Sequence, residues 1–369
     1  MTKILHMTPP DVKNGVYKYI FSHLPYFNQE SYQFGFLTKA ADELSQTKEY
    51  KEYGFKIHPL FATQRDNPKA LEKVVSDVLE QYDVIHLHTS SWRGFMIEEL
   101  AMKRKMRRVI VHSHNSGIDL ADSEERERQI REHEAYKKQF SEKDATDFWA
   151  CSHEAGRWLF GESINPNKIR YMPNAIDTRK FSYNEEIRKR LRITLGVQDK
   201  YAIGCVGRYT YQKNQEFLIR ILPEIIKINS NICLICIGQG ELKDEYMLLA
   251  EQLKIKDHIL FLDWVDNVNE YLQAFDLFCL PSRFEGFPIS IVEAQAAGLP
   301  CIVSSNVTPD IQITSLVKRI PLEKGIWIDT INNEIREAEN TRAGYDCVLW
   351  NKGYELSVSA EMLKETYDE

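Results

Sequence analysis

No apolar run in the chain approaches the roughly 20 residues that span a bilayer, which excludes an architecture of membrane-crossing helices. The opening residues, "MTKILHMTPP", pass straight into a strand-like run and lack the apolar core of a signal peptide. The expectation is therefore a cytoplasmic chain. Metal-finger spacing is missing as well. Cys233 and Cys236 form one C-x-x-C, but no second Cys or His pair follows it at the right distance. Cys205, Cys233, Cys236, Cys279 and Cys301 all fall in apolar strand-like runs, where cysteine behaves as a small hydrophobe. There is no excess of positive charge: the formal charge is −7, which argues against nucleic acid as the main partner. Low-complexity segments and short-period repeats are absent too.

What is present is size and alternation. The chain has 369 residues, 43% of them apolar, more than a single core usually organises, so two domains are expected. Short apolar runs alternate with helical patterns, the signature of parallel βαβ units. Strand candidates in the first half are "KILHM", "YQFGFLT", "KIHPLF", "DVIHLHT", "RVIVHSH", "DFWACS" and "IRYMPNAI". In the second half they are "YAIGCVGR", "ICLICIG", "ILFLDWV", "LFCLPS" and "PCIVSS". Helical patterns lie between them, for example "PKALEKVVSDVLEQY" and "NQEFLIRILPEIIKI", and "GYELSVSAEMLKETY" closes the chain as an amphipathic helix. The charged stretch "TRKFSYNEEIRKRLRITLGVQDK" reads as a seam between two open α/β domains. Residues 1–180 form the first domain, 181–345 the second, and 346–369 a terminal helix returning toward the first. Such sheets bind ligands at the C-terminal ends of their strands, so two facing domains would place a site in the cleft between them.

One stretch carries the most chemistry: "PSRFEGFPISIVEAQAAGLPCIVSS", residues 281–305. A buried strand ends at Pro281 and the loop "RFEGF" follows. Pro288 suits the first helical position, where its missing N–H costs nothing. "ISIVEAQAA" is helical, and Gly298 suits the C-cap. Glu285 then lies in the loop at the mouth of a strand, and Glu293 lies about a turn into the helix. A helix N-terminus suits a phosphate. Carboxylates would repel one, but they accept well from a diol. A ligand with a central diphosphate and a sugar at each end would use both features. Either glutamate alone would be explained as a surface or helix-stabilising residue; the combined pattern is more specific.

That pattern resembles the E-x7-E motif of the retaining glycosyltransferases of family 4, which have the GT-B fold of two Rossmann-like, doubly wound parallel-sheet domains. "GCVGRYTYQKNQ" is similar to the family's G-R-x4-K segment, with Arg208 and Lys213. "YMPNAID" resembles its P-N-G-(I/V)-D, with Ala175 in place of the glycine, and "VIVHSHN" resembles its strand-end histidine segment. The resemblance implies that Arg208 and Lys213 bind the donor diphosphate, that Glu293 holds the ribose hydroxyls, and that Glu285 faces the transferred sugar beside the backbone N–H groups of Gly286 and Phe287, with Pro288 and Ile289 following at the helix start. It implies a sugar contact from His114, with His112, His86 and His88 as weaker candidates. Gly15 in "PPDVKNGVYKY" would let the donor phosphates come close, although Asn14 stands where the family often has a second glycine. No D-x-D occurs, which fits the family's metal-independent chemistry, so neither a metal nor another cofactor beyond the nucleotide-sugar is expected.

The run "AMKRKMRRV" gathers Lys103, Arg104, Lys105, Arg107 and Arg108. It reads equally as a patch for peripheral contact with an anionic membrane, on the inner face of the cell membrane, or as a solvated helix C-terminus. The resemblance is strongest to family members from bacterial capsule and exopolysaccharide synthesis. It implies transfer of a hexose or N-acetylhexosamine from a nucleotide-sugar, UDP-linked by first choice, to a lipid-linked saccharide. Two alternatives stay open: a soluble sugar or sugar-phosphate acceptor, and a catalytically inactive partner subunit. A sugar epimerase on the same fold would need further carboxylates that have no evident place. Donor base, linkage and oligomeric state lie beyond the sequence.

Overall fold

The computed structural model describes residues 1–337 and 342–369. It divides into two compact units. The first comprises Met1–Ile118, Glu124–Ala175 and Leu356–Glu369; the second comprises Asp119–Ser123 and Ile176–Glu355.

The first unit holds a seven-stranded sheet: β1 (Thr2–Met7), β2 (Tyr32–Thr38), β3 (Lys56–Pro59), β4 (Val84–Thr89), β5 (Arg108–Ser113), β6 (Asp147–Ala150) and β7 (Ile169–Tyr171). Its order is β3-β2-β1-β4-β5-β6-β7 and every pairing is parallel. The connections run through α1 (Gly15–His23), α2 (Ala41–Ser45), α3 (Lys48–Tyr53), α4 (Pro68–Leu79), α5 (Met96–Lys103), α6 (Ser123–Lys137) and α7 (His153–Phe160). Side chains alternate along each strand, so the sheet has two cores. Leu5, Ile85, Leu87, Val109 and Val111 pack beneath α4 and α5 on one face. Ile4, Phe36, Val84 and Ile110 pack on the other, against Tyr19 and Ile20 of α1 and Leu363 and Tyr367 of the last helix.

The second unit opens with α8 (Glu185–Leu195). Its sheet has six strands: β8 (Tyr201–Val206), β9 (Ile232–Ile237), β10 (Ile259–Leu262), β11 (Leu277–Leu280), β12 (Cys301–Ser304) and β13 (Val317–Ile320). The order is β10-β9-β8-β11-β12-β13, again all parallel. Its helices are α9 (Gln215–Ile228), α10 (Lys243–Gln252), α11 (Val268–Ala274), α12 (Ile289–Ala296), α13 (Lys324–Arg336) and α14 (Tyr345–Asn351); α15 (Leu356–Asp368) returns to the first unit. Both sheets are wound in two directions from a central pair, β1/β4 in one and β8/β11 in the other. The C-terminal ends of those pairs are the switch points where ligands of such sheets bind.

Several local expectations need correcting. The charged stretch read as a seam is the ordered helix α8, capped by the Asn184 side chain and ended by Gly196 in the left-handed conformation. Two of its arginines face inward: Arg192 meets Asp276 at 2.9 Å and Arg188 also bonds that carboxylate. Charge had disguised a packed helix. Residues 176–180 and 346–355 belong to the second unit rather than the segments first assigned to them. There the buried Glu355 carboxylate accepts from the Thr178 amide (2.9 Å) and hydroxyl (2.7 Å). The strand β13 was not anticipated. Its sequence, Val-Lys-Arg-Ile, carries two cations, as an edge strand tolerates. Pro288 occupies the N-cap of α12, one position before the first helical residue, and Ala297 is the C-cap. Gly298 follows it at φ +67°, where a Cβ would lie 2.1 Å from the Arg342 carbonyl oxygen, so only glycine fits.

Candidate active site

The switch point of the second sheet gathers the residues singled out in the sequence. β8 ends at Val206, and Gly207 and Arg208 follow it into the loop before α9. β11 ends at Leu280, and the loop 281–288 carries Glu285 before α12 begins. Glu285 is 5% exposed, and Lys213 Nζ donates to its Oε1 at 2.6 Å. Ser282 Oγ donates to the same oxygen at 2.7 Å, and Gln212 Nε2 donates to Oε2 at 2.9 Å. A backbone bridge to Val307 holds the Glu285 main chain. The carboxylate is thus fixed from three sides, which removes the rotamer freedom a surface glutamate would have.

Lys213 lies over Gly207, where a Cβ would come within 3.1 Å of the lysine Cδ. A larger residue at 207 would displace the cation. Arg208 pairs with Asp119 at 3.1 Å, and the other Asp119 oxygen accepts from the Gln212 amide at 2.8 Å. Gln215 donates to the carbonyls of Gly207 (3.2 Å) and Arg208 (2.9 Å), which shapes the loop that carries both cations. Arg283 stacks over the Tyr211 ring at 4.4 Å and donates to Asn214, bracing the same loop from the Glu285 side.

Glu293 is buried in the middle of α12. Gly286, Phe287 and Pro288 are buried, and Ile289 is half-buried. The Phe287 ring stacks on Tyr354 at 5.9 Å and 8°, so its side chain serves packing. Arg208, Lys213, Glu285 and Glu293 therefore fall in one unit, on two loops and one helix beside the β8/β11 pair. Sequence reasoning missed Asp119, Gln212 and Ser282. The S-x-x-E spacing was a usable signal for Ser282. Nothing in "SGIDLADSEE" pointed to Asp119, because its partners lie about ninety positions away.

The remaining candidates belong to the first unit. Gly15 is the first residue of α1 and a Cβ there would meet nothing within 4 Å. Asn14, which stands where the family often has glycine, caps α1 by accepting from the Val16 amide at 2.9 Å. That role accounts for the substitution. His114 is half-buried just past the end of β5. His86, His88 and His112 are buried on the strands beside it. Three of the five residues of the basic run are engaged within the protein. Arg104 pairs with Glu80 at 2.6 Å; Arg108 bonds Asp147 (3.3 Å) and Glu369 (2.9 Å); Arg107 donates to the Tyr367 carbonyl. Arg107 and Arg108 fasten the end of α15, and Lys103 and Lys105 remain exposed. Among the described residues no helix is long and apolar enough to cross a membrane. All seven cysteines are free thiols, and Cys233 and Cys236 both lie buried in β9.

Two doubly wound parallel sheets are the architecture of the GT-B fold, and cations and carboxylates gather at the switch point of the second. Two family models, which together cover most of the chain, place it among the family 4 glycosyltransferases. Residues 13–180 match the Glycosyltransferase Family 4 model and residues 186–345 match Glycosyl transferases group 1. EpsF of Bacillus subtilis (strain 168), assigned as a glycosyltransferase, is 26% identical over 99% of this chain and 96% of its own. The Escherichia coli UDP-Gal:alpha-D-GlcNAc-diphosphoundecaprenol alpha-1,3-galactosyltransferase is 27% identical over 61% of this chain and 58% of its own. Among solved structures, Anabaena Alr3699/HepE in complex with UDP superposes with a TM-score of 0.77 at 16% identity, covering both chains in full, which establishes the fold.

Proposed function

We propose that the protein is a retaining transferase that moves a hexose or N-acetylhexosamine from a UDP-sugar to a lipid-linked saccharide in bacterial surface polysaccharide synthesis. The observation that carries this reading is the Glu285 carboxylate locked by Lys213, Gln212 and Ser282 at the end of β11, with Glu293 on the helix that follows. Glu293 would accept from the ribose diol and Glu285 from the hydroxyls of the sugar. Arg208 and Lys213 would neutralise the diphosphate as its leaving-group charge grows, so that this step requires no metal at the phosphates. Same-face attack by the acceptor, with the departing phosphate taking its proton, needs only positioning and charge stabilisation from the protein. In the first unit, Gly15 and His114 at strand ends are the candidates for further ligand contact. The UDP choice is supported by the complex of the Anabaena protein, and the lipid-linked acceptor by the Escherichia coli relative's substrate. Any membrane contact through the basic run would fall to Lys103 and Lys105.

The test is thermal stability with UDP-, GDP-, ADP- and TDP-sugars, without added metal, on wild type and Glu293→Ala. A true donor at a hundred times its dissociation constant adds roughly 2.7 kcal/mol of stability. The expected outcome is a rise with UDP-sugars alone that disappears in Glu293→Ala. No rise with any donor, on folded protein, favours the inactive-partner alternative.

A further inference from the structure

Five histidines share one face of the first sheet. His6 of β1 and His86 of β4 are register partners, as are His88 of β4 and His112 of β5. His86 with His88, and His112 with His114, stand two residues apart and so point the same way. Their rings form a connected set. His6 Nδ1 and His88 Nε2 share a hydrogen bond of 2.9 Å, and His88 Nδ1 and His114 Nε2 one of 2.8 Å. His86 Nε2 meets His112 Nδ1 at 3.1 Å, and His86 Nδ1 meets the Tyr367 hydroxyl at 2.7 Å. Among the described residues no carboxylate bonds to any of the five.

Two buried polar atoms at this set have no partner among the described residues: His112 Nε2 and the Tyr19 hydroxyl. The Tyr19 ring stands edge-on to both His112 and His114, with centroids 5.5 Å from each. Buried polar groups are nearly always satisfied, so two adjacent exceptions mark a place built for something else. Burial also holds the imidazoles neutral. His6 and His114 are pushed down to about 3, and His86, His88 and His112 well below the ordinary value. Neutral imidazole is the form that binds metal.

We propose that His88, His112 and His114 form a binding site for one late first-row divalent ion of the zinc class. One ring nitrogen from each lies within 4.8 Å of the other two. Metal–nitrogen bonds of about 2.1 Å would replace the His88–His114 hydrogen bond, with the rings adjusting around the ion. Imidazole ligands suit zinc, copper and nickel, and three histidines leave a further position open. The outer partners are already in place. With His88 Nδ1, His114 Nε2 and His112 Nε2 on the ion, His88 keeps His6 at its other nitrogen and His112 keeps His86, which is in turn held by Tyr367. His114 is half-buried at a strand end, which provides an entrance. The alternative trio of His6, His86 and His88 is buried throughout and has none. The site uses none of Arg208, Lys213, Glu285 and Glu293, but it shares His114 with the ligand contact of the proposed function, so the titration is run without nucleotide-sugar.

The experiment uses the untagged chain, stripped with a chelator and titrated with cobalt(II) and then zinc. The expected result is saturation at one equivalent, visible absorption of nitrogen-ligated tetrahedral cobalt, and its displacement by zinc. His112→Gln and His88→Gln each weaken binding at least tenfold. His6→Gln, which removes an outer partner, weakens it about 10- to 100-fold. His153→Gln, at an exposed site, leaves it unchanged. Circular dichroism checks the fold of each variant; should one unfold, the wild-type titration still decides. The proposal is overturned by the absence of saturable binding to wild type, or by folded His112→Gln and His88→Gln that bind as wild type does. A buried water between His112 and Tyr19 would then account for the unpartnered atoms.

Discussion

The two units share a winding order and differ in what their strands bury. In the first, the face under α1 and α15 is lined with His6, His86, His88 and His112, with His23 of α1 packed nearby. In the second, Cys205, Cys236 and Cys279 lie on the face packed against α9, and Cys233 and Cys301 are buried on the opposite face. Both sets are small, buried and neutral. Imidazole, however, titrates near neutral pH in the unfolded chain, whereas thiols do not. A shared winding order therefore yields one unit whose buried strand residues couple its stability to acid and one whose buried strand residues couple it only to alkali.

The largest expected consequence is acid sensitivity confined to the first unit. His6, His23 and His114 have folded values lowered to about 3, 4 and 3, and His86, His88 and His112 are also lowered, all by burial first. Because the folded values are depressed, the unfolded chain takes up protons first. The stability is present above pH 6.5 and is lost progressively as pH falls from there toward 3. Each histidine contributes a slope of up to about 1.4 kcal/mol per pH unit. Hydrogen exchange at pH 7 and pH 5, corrected for intrinsic rates, should show β1, β4 and β5 losing protection while β8, β9 and β11 keep theirs. Equal loss in both sheets would break the comparison.

A second prediction weakens the other unit. Arg342 is buried and donates to the carbonyls of Ala297 (3.0 Å), Leu272 (3.0 Å), Gln273 (3.2 Å) and Phe275 (2.8 Å). Burial lowers its pKa to about 10. Arg342→Met removes this donor from all four carbonyls, of which Gln273 and Phe275 keep Arg188, and should cost about 3 kcal/mol in denaturant unfolding. The loss should appear in second-unit amides first. Third, burial raises the thiol pKa of Cys205 to about 12 and raises those of Cys233, Cys236, Cys279 and Cys301 too. A disulfide reagent at pH 8 should label one thiol quickly, the exposed Cys347, and the rest only on unfolding. Fast labelling of a strand cysteine would show that the second sheet opens locally. The smallest effect belongs to the surface. Arg104→Ala breaks an exposed pair with Glu80 and should change the melting free energy by under about 1 kcal/mol.

Strand existence and order of appearance were legible because parallel strands buried on both faces read as continuous apolar runs. β2 matches its run "YQFGFLT" residue for residue. β13 was not legible, since an edge strand with two cations has no such signature. At the candidate site, Glu285, Glu293, Arg208 and Lys213 were legible from spacing. Their grouping was not, because Lys213 meets Glu285 across 72 positions and Arg208 meets Asp119 across 89. The H-x-H repeats in "VIHLHT" and "VIVHSH" did hold a readable signal, as period two puts each pair on one face.

By itself, then, the sequence determined the class of fold, the approximate halves and the residues with donor chemistry, because these rest on local pattern and spacing. Tertiary structure alone decided which carboxylate holds which cation, that a charged stretch is a packed helix, and that histidines from three strands meet in one place. Those outcomes depend on strand order and register, which bring together residues that no short window of sequence contains.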